Sequence, residues 1–305
     1  NKPLEFLITL LSCILETLLS LETQQLFLRG RRRKKPKITS QAGTDELFAC
    51  PLCFGYSHFN RSWSDDMSTS RLPNHISQQF DNELQDIRSK VLAMGGLVEQ
   101  HLEKVLSFFS KGELEGAEYV AVSDHLINAL EVEIDQDCSD VLVRRQPAAM
   151  DLRLVLAVSK TITDLERMGD EIEKIARLIT HEPTVLSGNS YYHSASTLGK
   201  HVALMVRNSL DTFARMDSGA ALQVAMADRE IDVETGAILR ELMTYMMEDP
   251  RKISPVLDVI LAVRALERVG DHAKNVAENV IYLVEGRNVR HVSLEQIQKE
   301  LEQGN

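Results

Sequence analysis

The sequence has few cysteines, no surplus of basic residues in its main part, and no segment with the alternating pattern of a β-strand. Only four cysteines occur in 305 residues, and three of them precede residue 67. This scarcity argues against a disulfide framework and fits a reducing cytosol. Residues 67–305 contain 25 Lys and Arg residues against 38 Asp and Glu residues, a formal charge of −13. Such an acidic body argues against a nucleic-acid surface and favours cations or basic protein surfaces as ligands.

Residue combinations typical of catalysis are also missing. No serine or cysteine nucleophile has an obvious base, and Cys138 lies in an apolar stripe that is typical of a core residue. The histidines, among them His101 and His201, are scattered along the chain. The motif Glu-x-x-His, which a di-iron or ferritin-like bundle carries on two helices, does not occur. We therefore expect a protein that is not an enzyme.

Residues 1–66 differ from the rest of the chain. Their apolar opening is interrupted by Glu5 and Glu16 and lacks the basic region of a signal peptide, so we expect no membrane helix here. Seven of the nine residues at 29–37 are basic, which is typical of a solvated linker, and the segment "CPLC" supplies only half of a zinc site. Met67 resembles an ordinary start. We interpret residues 1–66 as an unrelated N-terminal extension outside the folded unit.

Apolar residues recur at intervals of three and four from residue 80 onward, which predicts long amphipathic helices. Short breaks rich in Gly, Pro, Ser and Asp separate them, so neighbouring helices should be antiparallel. The pattern predicts an all-α fold of six long helices, two tandem homologous three-helix bundles, with helices at about 80–109, 114–145, 148–180, 194–216, 220–247 and 253–284.

The third and sixth helices contain the same motif. "LERMGDEIEKIA" at 165–176 matches "LERVGDHAKNVA" at 266–277, and eight apolar or small seam positions of the third helix stay apolar or small when 101 is added to their numbers. The second and fifth helices agree as well, since "VAVSDHLIN" at 120–128 parallels "VAMADREID" at 224–232. This internal repeat predicts homologous units at 72–187 and 190–290, followed by a C-terminal tail at 291–305.

Each repeat places carboxylates four residues apart, hence on one face of a helix, beside the apolar seam and within reach of solvent. An adjacent helix offers further oxygen ligands, and such a set suits hard or borderline cations, with Mg, Mn, Fe and Zn not distinguishable. The alternative is solvated salt bridges, Glu166 with Arg167 or Lys174 and Glu267 with Arg264 or Arg268. The candidate metal ligands are Glu166, Asp170, Glu267, Asp271, Asp124, Asn128, Asp228 and Asp232.

Gly169 and Gly270 lie within the seams, where glycine costs about 1 kcal/mol relative to alanine. We expect both glycines to mark a close approach of two helices.

These segments, together with the Asp-x-x-Ile-Asn/Asp pattern of the preceding helix in each half, resemble the PhoU family of phosphate-signalling accessory proteins over about residues 72–290. The resemblance implies a pair of three-helix bundles and a metal-binding Glu/Asp-x-x-x-Asp motif, which falls on Glu166 and Asp170 and on Glu267 and Asp271. It also implies a cytoplasmic negative regulator, a homodimer, that acts at the inner face of the membrane with the ATPase subunit of a phosphate ABC transporter and with a sensor histidine kinase.

The two motifs differ after their shared aspartate. Glu171 and Glu173 follow Asp170, whereas His272 and Lys274 follow Asp271. The first repeat is thus more acidic, and we expect it to hold metal more firmly. Two alternatives stay open, a carboxylate-bridged di-iron or ferritin-like protein and a purely structural helical scaffold.

Overall fold

The structure, a computed structural model, describes residues 78–181, 190–290 and 292. The proposed N-terminal extension, its cysteine pair and nearly all of the C-terminal tail lie outside these residues. The described part consists of helices without a strand, which confirms the all-α prediction. None of the helices described is long and apolar enough to cross a bilayer. The helices are α1 (Gln78–Lys111), α2 (Leu114–Ser123), α3 (His125–Arg145), α4 (Ala149–His181), α5 (Ser190–Arg215), α6 (Ser218–Glu248) and α7 (Ile253–Glu285), with a short 3₁₀ turn at Pro250–Lys252 before α7.

The second of the six predicted helices is divided at Asp124 into α2 and α3. The Asp124 backbone keeps helical dihedral angles, φ −53° and ψ −34°. However, the amide of Ile127 donates to the Asp124 carbonyl at 2.9 Å, an i to i+3 bond that tightens this turn. The equivalent residue of the second repeat, Asp228, lies inside the continuous helix α6. The break is therefore a difference between the two repeats, and it falls on a candidate ligand.

Helix ends follow the local chemistry of the sequence. The side chain of Asp217 accepts a hydrogen bond from the Ala220 amide at 2.9 Å and so caps the start of α6. Gly286 closes α7 in the left-handed conformation, φ 74°, and its amide donates to the Tyr282 carbonyl at 2.9 Å. Pro147 lies just before α4, which begins at Ala149.

The apolar seams of α4 and α7 form the centre of the core, and all sixteen seam positions predicted from the repeat are buried. Burial of this stripe is what stabilises the two long helices, because each buried aliphatic side chain contributes roughly 1.5–3 kcal/mol. The sixteen positions are Val155, Val158, Ile162, Leu165, Gly169, Ile172, Ala176, Ile179, Val256, Val259, Val263, Leu266, Gly270, Ala273, Ala277 and Val280.

The two repeats pack against each other through equivalent helices, with α4 beside α7 and α1 beside α5. Their buried residues form one contiguous core. Ion pairs cross both contacts: Arg207 of α5 pairs with the buried Glu99 of α1, and Arg268 of α7 lies 3.2 Å from the buried Glu171 of α4. The boundaries of the two units at 72–187 and 190–290 stay a prediction.

Candidate metal-binding site

Each repeat brings several of its candidate ligands together from two helices. Asp124 and Asn128 lie at the α2/α3 junction, and the charge of Asp170 on α4 acts on Asp124. In the second repeat, Asp228 and Asp232 of α6 lie beside Asp271 of α7. Glu166 lies one helical turn before Asp170 on α4 and is partly exposed. Asp124 and Asp228 are buried, 7% and 4% exposed. The other six candidates are partly or fully exposed, as their predicted position beside the seam requires.

The second acidic site consists of Asp228, Asp232 and Asp271. One carboxylate oxygen of each lies within 4.8 Å of those of the other two. Two ligands on opposite sides of a cation bound at 2.3–2.6 Å are separated by roughly 5 Å, so these three oxygens are close enough to share one ion. Three of the four candidates in this repeat thus lie together, and that they bind a metal ion stays a prediction.

Lysine supplies a positive charge inside this second site. Lys274 of α7 donates from Nζ to Asp228 Oδ2 at 2.7 Å. Burial raises the pKa of Asp271, and the charges of Asp228, Asp232 and Glu267 raise it further, against the opposing effect of Lys274. The pKa of Asp232 is raised for the same reasons, burial first. The site thus concentrates negative charge that one ammonium group offsets only in part.

The first acidic site consists of Asp124, Asp170 and Glu173. Asn128 donates from Nδ2 to Asp124 Oδ2 at 2.9 Å. The other oxygen, Asp124 Oδ1, is buried and accepts no hydrogen bond from the described residues. A buried carboxylate oxygen without a donor costs free energy, so this atom is suited to accept a ligand.

The electrostatics of the first site also favour a bound cation. Burial raises the pKa of Asp124 from 3.8 to about 6, and the charges of Glu173 and Asp170 contribute to the rise. The hydrogen bond from Asn128 and the charge of Arg177 act in the opposite direction. Arg177 itself is bonded to Glu173 at 2.7 Å, and its side chain is 62% exposed. Arg177 and Asn128 thus offset the repulsion between Asp124 and its acidic neighbours only in part. A cation bound at Asp124 would reduce that repulsion further.

Glu131, one further acid beside the first site, was not among the sequence candidates. Its pKa is raised by burial and by the charges of Asp135 and Asp170. The signal that could have found it is its spacing, since it follows Asp124 by seven residues, two helical turns along the same face.

The glycines of the two motifs differ in how closely a neighbour approaches. A Cβ at Gly169 would lie 3.1 Å from both Asp124 Oδ1 and Ile127 Cδ1. At Gly270 the nearest atom is Ile231 Cγ2 at 3.5 Å, an ordinary contact. The prediction of a close approach is confirmed at Gly169, where the absent side chain makes room for Asp124, whereas at Gly270 the neighbouring helix lies at an ordinary contact distance that would admit a methyl group.

Several acidic residues of the motifs are engaged in ion pairs. Glu267 pairs with Arg264 at 2.7 Å, as the salt-bridge alternative predicts. Glu171, which makes the first motif more acidic, is buried between Lys174 at 2.6 Å and Arg268 at 3.2 Å. Glu171 therefore belongs to the contact between the repeats. Whether the first repeat holds metal more firmly stays a prediction, and its support now comes from Glu173.

Both sites offer carboxylate oxygens, the first site adds the side-chain amide of Asn128, and the cluster of the second site contains no histidine or cysteine. This ligand set suits Mg²⁺, Mn²⁺ or another hard cation, and it lacks the imidazoles that a di-iron oxidase takes from its Glu-x-x-His motifs. Apart from binding a cation, the arrangement provides no nucleophile and no paired acid and base.

Comparison with known proteins identifies the same repeat. The PhoU domain family matches residues 91–179 and again residues 195–280. The phosphate-specific transport system accessory protein PhoU homolog of Pseudomonas aeruginosa is 48% identical over 231 residues, which cover 76% of this chain and 96% of that protein. The phosphate-specific transport system accessory protein PhoU of Escherichia coli is 41% identical over 238 residues, 76% of this chain and 96% of that protein.

Solved structures agree in fold. The crystal structure of PhoU from Pseudomonas aeruginosa matches with a TM-score of 0.66 and 48% identity, covering 68% of this chain and all of that one (100%). The phosphate transport system regulatory protein PhoU from Streptococcus pneumoniae matches with a TM-score of 0.64 and 28% identity, covering 69% of this chain and 99% of that chain. Matched in both repeats by the family and over nearly the whole length of these relatives, the chain belongs to the PhoU family.

Proposed function

We propose that this chain is a cytoplasmic, non-enzymatic negative regulator of phosphate uptake and of the response to phosphate starvation. The observation that carries the proposal is the match to phosphate-specific transport system accessory proteins over 96% of their length at 41–48% identity. In this role the helical faces bind the ATPase subunit of the phosphate ABC transporter and a sensor histidine kinase. An acidic body without catalytic groups suits an adaptor that works through its surfaces.

The second part of the proposal is that the first acidic site holds a metal cation. Its support is Asp124 Oδ1, which is buried, accepts no hydrogen bond from the described residues and lies against Gly169, while the charges of Asp170 and Glu173 act on the same carboxyl group. When bound, the cation would supply positive charge beside Asp124, on which the negative charges of Asp170 and Glu173 act. Asn128 orients Asp124 through the other oxygen, and Gly169 lets α4 approach the break between α2 and α3.

Co-purification tests the regulatory part. The tagged chain would be isolated from its native host grown with and without phosphate, and bound proteins would be identified by mass spectrometry. We expect the transporter ATPase and a histidine kinase, with amounts that depend on phosphate. Recovery of neither component in either condition would contradict the adaptor role.

Metal analysis tests the second part and separates it from a purely structural scaffold. The metal content of the purified protein would be compared with that of Glu166→Ala, Asp170→Ala and Asp124→Asn. Asp140→Asn is a matched control, because Asp140 is a half-exposed acid on α3 that pairs with Arg144 at 2.7 Å. We expect Asp124→Asn and Asp170→Ala to lose the metal and the control to retain it. Equal metal content in all variants would favour the scaffold.

A further inference from the structure

Lys274 occupies, in the second repeat, the position that Glu173 occupies in the first. The repeat offset of 101 residues pairs these two side chains, as it pairs Asp271 with Asp170. The structure bears out the correspondence, because the charge of Glu173 acts on Asp124 while Lys274 bonds to Asp228, the equivalent of Asp124. The same position thus carries a third carboxylate in one site and an ammonium group in the other.

The state of the buried aspartate differs accordingly. Lys274 Nζ lies 2.7 Å from Asp228 Oδ2, and the Asp228 side chain is only 5% exposed. In the first repeat, Asp124 Oδ1 accepts nothing from the described residues. A charge-assisted bond at this distance to a nearly buried carboxylate is among the stronger polar interactions in a protein. Lys274 therefore donates a hydrogen bond to the buried aspartate of the second repeat, whereas one oxygen of the equivalent aspartate in the first repeat has no donor among the described residues.

We infer that Lys274 is a built-in cation that takes the place of a metal ion in the second acidic site, so that only the first repeat binds metal with high affinity. This inference rests on the proposed metal binding by the first repeat. A divalent ion bound between Asp228 and Asp271 would lie beside the ammonium group that Asp228 holds, and the repulsion between the two cations opposes its binding. The ammonium group lies among the charges of Asp228, Asp232, Asp271 and the buried Glu278, and three of these four acids are the candidate metal ligands of this site.

The test measures Mn²⁺ bound per chain by equilibrium dialysis and elemental analysis. Lys274→Glu gives the second site the acid that the first site has, and Glu173→Lys does the reverse. Lys252→Glu is the control with the same change of charge, because Lys252 precedes α7 and lies roughly 33 Å from Lys274 along the helix. We expect one equivalent in the natural chain, lost in Asp124→Asn and in Glu173→Lys but kept in Asp271→Asn. Lys274→Glu should gain a second equivalent that Asp271→Asn removes, while Lys252→Glu should not.

Two equivalents in the natural chain, one of them lost in Asp271→Asn, would overturn the inference and leave the proposed function standing. No metal in the natural chain, with one equivalent gained in Lys274→Glu, would support the role of Lys274 in the second site but overturn metal binding by the first repeat, and with it the metal part of the proposed function. A folded Lys274→Glu that gains nothing, while the natural chain binds one ion, would overturn the inference alone.

If no variant binds Mn²⁺, a stability measurement without metal tests whether Lys274 acts as the cation of the second site. We then expect Lys274→Met to melt roughly 2–4 °C or more below the natural chain, because Asp228 loses its cation, and a second change, Asp228→Asn, to restore the melting temperature. An unchanged melting temperature in Lys274→Met would refute a built-in cation.

Discussion

Replacing Asp124 by asparagine should stabilise the metal-free protein at neutral pH. Burial and the charges of Glu173 and Asp170 raise the pKa of Asp124 from 3.8 to about 6. That rise corresponds to ~3 kcal/mol against the ionised form in the folded state. An asparagine keeps an oxygen for the hydrogen bond from Asn128 and removes the negative charge that Glu173 and Asp170 repel. We therefore expect Asp124→Asn to raise the free energy of unfolding by ~1–3 kcal/mol at pH 7.5.

The sign of the pH dependence follows from the direction of the pKa change. Because the folded-state pKa of Asp124 lies above its ordinary value, the folded chain binds the proton more tightly than the unfolded chain. The corresponding stability is fully present below pH 3.8 and is lost as the pH rises through about 6. The advantage of Asp124→Asn should thus be largest above pH 6 and should shrink as the pH falls toward 4.

Urea unfolding followed by circular dichroism, with a chelator present, measures the difference at pH 7.5 and at pH 4.5. The slope with urea should be the same for both proteins, since the buried surface is unchanged. Asp140→Asn, on the exposed face of α3, should change stability little at either pH. Lower stability of Asp124→Asn at pH 7.5, or the same difference at both pH values, would refute the electrostatic reasoning. Mn²⁺ should stabilise the natural chain and leave Asp124→Asn unaffected.

Further predictions concern the glycines and the buried thiol. Gly270→Ala should stabilise the protein by ~0.5–1 kcal/mol, because alanine favours the helix and its methyl group meets only ordinary contacts. Gly169→Ala should instead destabilise it by ~1–2 kcal/mol, since the methyl group would press on Asp124 and Ile127; urea unfolding that ranks the two variants equally would contradict this. Cys138 is 2% exposed, and burial raises the pKa of its thiol to about 12. Iodoacetamide at pH 8 should therefore label the Cys138 peptide, detected by mass spectrometry, only after unfolding, and rapid labelling of the native protein would show the burial to be wrong.

The fold could be predicted from the sequence because the apolar residues recur with a helical period and the same pattern occurs in both repeats. Every seam position of α4 and α7 is buried, since an apolar stripe with a period near 3.6 has only one way to face a core. Helix ends were predictable where a capping residue marks them, as Gly286 does. The break at Asp124 was not, because its backbone stays helical and only the hydrogen bonding changes.

The residues that lie together could be predicted in part, since Glu173 of the first acidic site was not among the candidate ligands, and their pairing less well. The four-residue spacing predicts which of the candidate side chains share one face of a helix. The structure then brings Asp124 near Asp170 and Asp228 near Asp271. Which acid is neutralised depends on the rotation of each helix about its axis and on side-chain rotamers, which the spacing does not specify. The sequence shows that Lys274 replaces Glu173, but only the structure shows that its ammonium group reaches Asp228 rather than solvent.

The most direct test of the account measures repression of a phosphate-starvation promoter in a host that lacks its own copy of this gene. The natural chain, the double variant Asp124→Asn and Asp170→Asn, and the control Asp140→Asn would be expressed at equal levels, with folding checked by circular dichroism. The account predicts that the natural chain and the control keep the promoter off in high phosphate, whereas the double variant, folded but unable to hold a cation in the first repeat, leaves it on. Full repression by the double variant, or no repression by the natural chain, would contradict the account.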